Sequence, residues 1–208
     1  MKCPRKILPA FVVAGALLVA GCGDDNSSSD RSSKAVGNPV DRAFVAEMIP
    51  HHEDAVQMAQ IAQRRGSSEF VKKLANDIVK TQNDEIATMR AADRRLKSAG
   101  VTKGSLDVAE HMMGMDENPA SLNTAKPFDR AFLRMMIPHH EGAVTMAKAE
   151  IAKGKDPELK RLAEDIVDAQ QREIKQMREH LGEKSTNSEQ GGDNMHGDAR
   201  PRSADHDE

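Results

Sequence analysis

Apolar residues recur along this chain with the period of an α-helix, in four long runs. In the first run, Phe44, Met48, His51, Ala55, Met58 and Ala62 fall on one stripe, and His52 and Ala59 sit at its edge. Glu47, Gln57, Gln60 and Arg64 take the opposite face. The pattern predicts a helix from about Asp41 to Arg65, with Asp41 as N-cap or first-turn acid. Gly66-Ser67-Ser68 is a short connection, and Ser67 or Ser68 suits the next N-cap. The second run, Val71, Leu74, Ile78, Ile86 and Met89, predicts a helix to about Lys97. Gln82 and Glu85 fall inside its apolar stripe, and a buried carboxylate needs a partner. A linker punctuated by Gly, Pro, Asn and Ser follows, with a short helical turn expected near Ser105. The third helix is expected from about Phe128 to Lys153, and the fourth from Pro157 to Leu181. Pro157 suits a first helical turn, and Gly182 suits the C-cap.

The third and fourth runs repeat the first and second at a constant offset of 88 residues. Met48-Ile49-Pro50-His51-His52-Glu53 returns as Met136-Ile137-Pro138-His139-His140-Glu141. Asp41-Arg42-Ala43-Phe44 returns as Asp129-Arg130-Ala131-Phe132. Downstream, Gln82, Glu85-Ile86 and Met89-Arg90 match Gln170, Glu173-Ile174 and Met177-Arg178. Two copies of a helical hairpin are too few for a solenoid and suit a closed all-α four-helix bundle. The bundle is expected over 38–182, with repeats at 41–97 and 129–182 and a linker at 98–128. Equivalent histidines should then face one shared cleft or the bundle interior.

Lys2, Arg5 and Lys6 precede an apolar stretch from Ile7 to Ala20 that is short for a membrane span. Residues 1–21 therefore read as a signal peptide, and Val19-Ala20-Gly21-Cys22 resembles a bacterial lipobox. That resemblance implies export and a lipid on Cys22, anchoring the chain to the outer face of the membrane. Residues 22–37, rich in Gly, Asp, Asn and Ser, read as a disordered tether, and 183–208 as a disordered tail. Cys3 leaves with the signal, so the exported chain carries no disulfide and no free thiol ligand. The net charge of −3 becomes −6 once the three signal cations are removed, and no Trp or Tyr is present. This argues against a nucleic-acid partner.

The chemistry sits in the repeated motif. Pro50 and Pro138 lie within helical patterns, where proline deletes a backbone hydrogen bond at a cost of ~3 kcal/mol. Either each proline kinks its helix or the regular helix starts there. Met48 with His52, and His51 with Met58, share a helical face; Met136 with His140, and His139 with Met146, repeat this. Imidazole and thioether together suit copper, above all Cu(I), and the chemically similar Ag(I). A satisfied core histidine is the bland alternative for any one of these, and core packing for Met58 and Met146. The linker adds His111, Met112, Met113 and Met115 within five residues. Glu85 and Glu173 are placed to accept the second ring N–H of a ligating histidine, as are Gln82 and Gln170. Arg42 or Arg130 could pair with these carboxylates instead. Met195, His196 and His206 in the tail are weaker soft-donor candidates, and His180 reads as a cation at a helix C-terminus. An unperturbed imidazole would make metal affinity fall as pH drops through about 6.5.

The doubled Met-Ile-Pro-His-His-Glu-x-Ala-Val-x-Met-Ala pattern, with Phe128-Asp129-Arg130-Ala131-Phe132-Leu133 before the second copy, resembles the DUF305 family. The resemblance implies a ferritin-like four-helix bundle. For exported members it implies copper binding through His and Met, here Met48, His51, His52, Met58, Met136, His139, His140 and Met146. Glu47 stands where the second copy has Met135, so the halves need not bind equally. The expected function is an extracytoplasmic, membrane-anchored metal-binding protein that sequesters or passes on copper or silver, not an enzyme. The alternatives are a di-metal oxidoreductase and a structural lipoprotein whose histidines complete a polar core network. The di-metal site would want a Glu-x-x-His pattern, which neither motif carries.

Overall fold

The computed structural model describes residues 37–115 and 118–183. The expected signal peptide, Cys22 and all of the tether before Gly37 lie outside the described residues, as do Met195, His196 and His206. Four helices follow in order: α1 (Pro39–Arg65), α2 (Glu69–Ser98), α3 (Phe128–Lys153) and α4 (Pro157–Leu181). The linker holds two short 3-10 turns, Glu110–Met112 and Pro119–Asn123. No helical turn forms at Ser105; the turns appear where Glu110 and Asn118-Pro119 allow tight local bonds.

The N-cap of α1 is Asn38, not Asp41. The Asn38 side chain accepts from the Val40 and Asp41 amides at 2.9 and 3.1 Å, and Asp41 accepts from the Asn38 amide in return. This is a capping box, with Pro39 in the first turn where its missing N–H is not needed. Helix α1 therefore runs through Pro50, and α3 runs through Pro138. Neither helix starts at its proline. Ser68 caps α2, Asp156 caps α4, and Gly182 closes α4 at φ 74°.

Helix α1 packs along α2 and α3 along α4, and α1 crosses α3. Helices α2 and α4 touch only sparsely. Helices α1 and α3 run antiparallel. Asn38 Nδ2, at the start of α1, donates to the Lys153 carbonyl at the end of α3, 2.9 Å away. Asp129, at the start of α3, accepts from the Ser67 and Ser68 amides at the end of α1, at 2.9 and 2.8 Å. Asp41 does the equivalent for the Lys155 and Asp156 amides, at 3.0 and 2.8 Å. Every residue in this second lock is displaced by 88 from its counterpart in the first. The pseudo-two-fold expected from the repeat is present.

The apolar core is divided in two. One cluster holds Met58, Val71, Phe132, Met136 and Met177; the other holds Phe44, Met48, Met89, Met146 and Ile166. Each draws on both repeats, because the pseudo-two-fold exchanges the clusters. The polar residues of the motif belong to neither.

Candidate metal centre

His51, His52, His139 and His140 are all buried, none more than 4% exposed. The His51 and His139 rings meet across the α1–α3 crossing with centroids 3.7 Å apart. Equivalent residues touching in this way puts the pseudo-two-fold between them. His52 and Ala59, placed at the stripe's edge by periodicity, are as deeply buried as its centre, because α1 is covered by both α2 and α3.

Each repeat supports its second histidine identically. His52 Nε2 donates to Glu85 Oε2 at 3.0 Å, and His140 Nε2 donates to Glu173 Oε2 at 2.7 Å. Just outside, Arg90 bonds Glu53 at 2.5 Å and Arg178 bonds Glu141. The carboxylates are thus paired with histidine. Arg42 is engaged elsewhere, donating to the Val101 carbonyl at 2.7 Å beside Asp93. Gln82 and Gln170 are buried but do not orient an imidazole; Gln82 Oε1 and both polar atoms of Gln170 lack a protein partner.

The first histidines differ between repeats. His51 Nε2 donates to the Met113 carbonyl oxygen at 2.9 Å, whereas neither ring nitrogen of His139 has a protein partner. The linker makes the difference. A strap, Glu110 to Met115, lies on α3, where a Cβ at Gly142 would sit on the Met113 carbonyl. Gly114, at φ 70°, is also pressed against the Pro138 carbonyl. The counterpart of Gly142 in α1 is Asp54, so only one repeat admits the strap.

Five imidazole nitrogens are therefore buried without a protein hydrogen bond: Nδ1 of all four histidines and Nε2 of His139. An unsatisfied buried polar atom costs about 1–3 kcal/mol. Burial, and then the neighbouring His52, push the His51 imidazole down to about 3. Burial, then His140, does the same for His52, and burial with His51 holds His139 well below its ordinary value. Burial thus favours the neutral form of His51, His52 and His139, each with one lone pair to offer, below pH 6.5. The midpoint near 6.5 expected for proton competition is corrected accordingly: His51 and His52 should compete for protons only in strong acid. Burial, then the Glu173 charge, raises Glu85 to about 7.

The four methionines of the motifs are buried in the two apolar clusters. Met58 and Met136 belong to one, Met48 and Met146 to the other. Each cluster thus receives one motif methionine from each repeat. Among the described residues, no three His, Cys, Asp or Glu side chains converge as a ready ligand set. A metal here would draw on imidazole and thioether in a low-coordinate arrangement, which fits soft ions better than zinc. In the linker, His111, Met112 and Met115 are exposed, and Met113 packs partly against the second cluster. Glu47 pairs with Lys103 at 3.3 Å, while its counterpart Met135 packs on the first cluster. His180 stacks on Phe70 with centroids 4.3 Å apart.

The model of the domain of unknown function DUF305 matches residues 25–93 and 41–181. The chain belongs to the DUF305 family. Solved structures share the fold of this DUF305 chain. CopM in a Cu(I)-bound form is 35% identical, covers 68% of this chain and 95% of its own, and superposes with a TM-score of 0.57. CopM has also been solved bound to Cu(II) and to Ag. A Streptomyces coelicolor DUF305 protein, described as a candidate secreted protein, is 32% identical with a TM-score of 0.60. It covers 69% of this chain and 91% of its own. Uncharacterized protein L153 of Acanthamoeba polyphaga mimivirus is 46% identical over 56 residues, 27% of this chain and 37% of that protein. The match thus spans little more than a third of that relative.

Sequence reasoning found the four histidines and their two glutamates. It missed the Met113 carbonyl and the His51–His139 contact. The visible clue to the first was the mismatch of Asp54 with Gly142, the one place where the second motif gives up its side chain.

Proposed function

We propose that this chain is an exported, lipid-anchored protein that binds a soft monovalent ion, Cu(I) or Ag(I), and holds it or passes it on without catalysing a reaction. The observation that carries this reading is the set of five buried imidazole nitrogens without protein partners, in motifs that also carry four buried methionines. Neutral nitrogen and soft sulfur, with no thiol and no ready carboxylate cage among the described residues, are the donors Cu(I) takes in preference to zinc or hard cations. Glu85 and Glu173 orient His52 and His140 as carboxylates orient ligating histidines elsewhere. CopM, solved with Cu(I), Cu(II) and Ag, supports copper or silver as the ion. Export and the lipid on Cys22 rest on the sequence of residues 1–22. Among the described residues no helix is long and apolar enough to cross a membrane.

A second reading, that the histidines only complete a structural polar layer, draws support from the two His–Glu bonds and the lack of a ready ligand set. A thermal melt separates the two. One equivalent of Cu(I) should raise the Tm of the wild-type protein, since a ligand stabilises the state that binds it. The quadruple variant His51→Gln, His52→Gln, His139→Gln, His140→Gln should show no such gain. Zn(II) in place of Cu(I) should give the smaller shift. A wild type indifferent to Cu(I) and Ag(I) would leave only the structural reading.

A further inference from the structure

The linker strap has two faces of opposite chemistry. Its backbone turns tightly: the Met112 amide donates to the Ala109 carbonyl at 2.8 Å, and the Met113 amide to the Glu110 carbonyl at 2.9 Å. Gly114 and Gly142 then let it lie against α3 without a side chain between. This aims the Met113 carbonyl inward at His51, 2.9 Å away. The neighbouring side chains are left outside. Met112 is 51% exposed and Met115 38%, and they are the exposed large hydrophobics found among the described residues. His111 is exposed beside them. An isolated exposed methionine would mean little. Here two thioethers and an imidazole lie on one hydrogen-bonded turn whose next carbonyl already touches a buried histidine. Adjacent Cα atoms are about 3.8 Å apart, so Met112 lies one residue from the atom that His51 holds.

Resting on the reading above, we infer that His111, Met112 and Met115 form an outer receiving site for a soft monovalent cation, and that the Met113 carbonyl bond to His51 is the latch between this site and the buried histidines. A soft cation binds thioether and imidazole at the surface. Movement of the strap then frees His51 Nε2 and opens a path one residue long to the His51–His139 contact. The bare α3 surface at Gly142 is what allows the latch to close. Asp54 denies α1 an equivalent, so loading runs through one repeat only.

The test uses the full mature chain, with Ag(I) delivered from a coloured chelator as a redox-inert probe. In the variant His111→Gln, Met112→Leu, Met115→Leu, transfer should slow by about tenfold or more and the bound Ag(I) should fall by one equivalent. In Gly142→Asp, which gives α3 the residue of α1, the strap should be displaced. Amide exchange at 110–115 should be faster without metal, and transfer at least as fast as in wild type. In wild type, Ag(I) should itself speed exchange at Met113 and Gly114. A strap variant that loads at the wild-type rate to the wild-type ratio overturns the receiving site. Unchanged exchange at Met113 on Ag(I) binding overturns the latch. Either result leaves metal binding by the buried histidines standing, whereas a wild type that takes up no Ag(I) removes both.

Discussion

Glu150 is fully buried beside Asp41, and neither of its oxygens meets a donor. Two carboxylates are both acceptors, so the contact is stable only with a proton on one of them. Burial first, then the bond to Asp41, pushes Glu150 up to about 9 from an ordinary 4.5. Asp41 is already accepting from the Lys155 and Asp156 amides. The folded state therefore binds an extra proton between pH 4.5 and 9. Stability from this group is full below the lower value and drains away as pH rises toward the upper. Glu150→Gln keeps a donor for Asp41 and has no proton to lose. At pH 8 it should be more stable than wild type by roughly 1–4 kcal/mol, at about 1.36 kcal/mol per pKa unit. The gain should shrink as pH falls toward the ordinary carboxylate range. Urea unfolding followed by circular dichroism at both pH values checks this, and equal stability at pH 8 would refute it. Nothing in the period of α3 marks Glu150 as buried with an acid; Ala62 holds the equivalent position, and the partner lies more than a hundred residues away. The His–Glu pairs were legible because both members lie on regular helices at repeated positions. His51's partner was not, because it is a backbone carbonyl in an aperiodic turn.

At the scale of elements, the bundle is tied by its helix ends. Asp129 takes two amides and the Ser67 hydroxyl at the α1–α2 corner, and Asp41 takes two amides at the α3–α4 corner. Burial would raise the Asp129 carboxyl, but the Ser67 and Ser68 donors outweigh it and hold it below 3.8. An acid depressed in the fold contributes stability above its unfolded value and loses it in acid. Asp129→Ala should therefore cost roughly 2–3 kcal/mol at neutral pH, the range for hydrogen bonds to a charged group. The deficit should narrow below pH 4. A neutral-pH loss under a few tenths of a kcal/mol would mean that solvent replaces these bonds freely. Asp129→Asn, which keeps the shape and one acceptor, should fall between. Helices α3 and α4 were legible to the residue because Pro127, Gly154, Pro157 and Gly182 punctuate them. At the start of α1 the sequence left Asp41 open as N-cap or first-turn acid; it is the first-turn acid, and the box it forms with Asn38 makes Asn38 the cap. The prolines at 50 and 138 left two readings open. Packing against two neighbouring helices outweighs the lost bond, so each helix continues.

The whole molecule is one hairpin pairing with its own copy. That was legible from the gapless repeat, as was the inward face of all four histidines. What each half contributes was not. The repeat led to an expectation of one shared cleft or the bundle interior, and here His51 meets His139 and each cluster's pair of motif methionines spans both repeats. The division of the core makes the same point: Met58 and Val71 need Phe132 and Met177, and Phe44 and Met89 need Met146 and Ile166. Neither hairpin encloses a core of its own. Residues 37–115 and 118–183, made as separate chains, should each be poorly helical and should gain helix on mixing as a one-to-one complex. The linker holds the two hairpins at an effective concentration of up to about a millimolar, and domains of this size are stable by about 5–15 kcal/mol. Cutting it should leave association detectable at tens of micromolar, on the order expected from those two figures. Circular dichroism and sedimentation of the separate and mixed chains measure this. Because the first histidines of the two repeats meet at the interface, Ag(I) should tighten the complex, and the quadruple His→Gln pair should associate without that gain. Two hairpins that are each fully helical alone, and stay apart when mixed, would show that the repeats fold independently and that the shared core is a consequence of the tether.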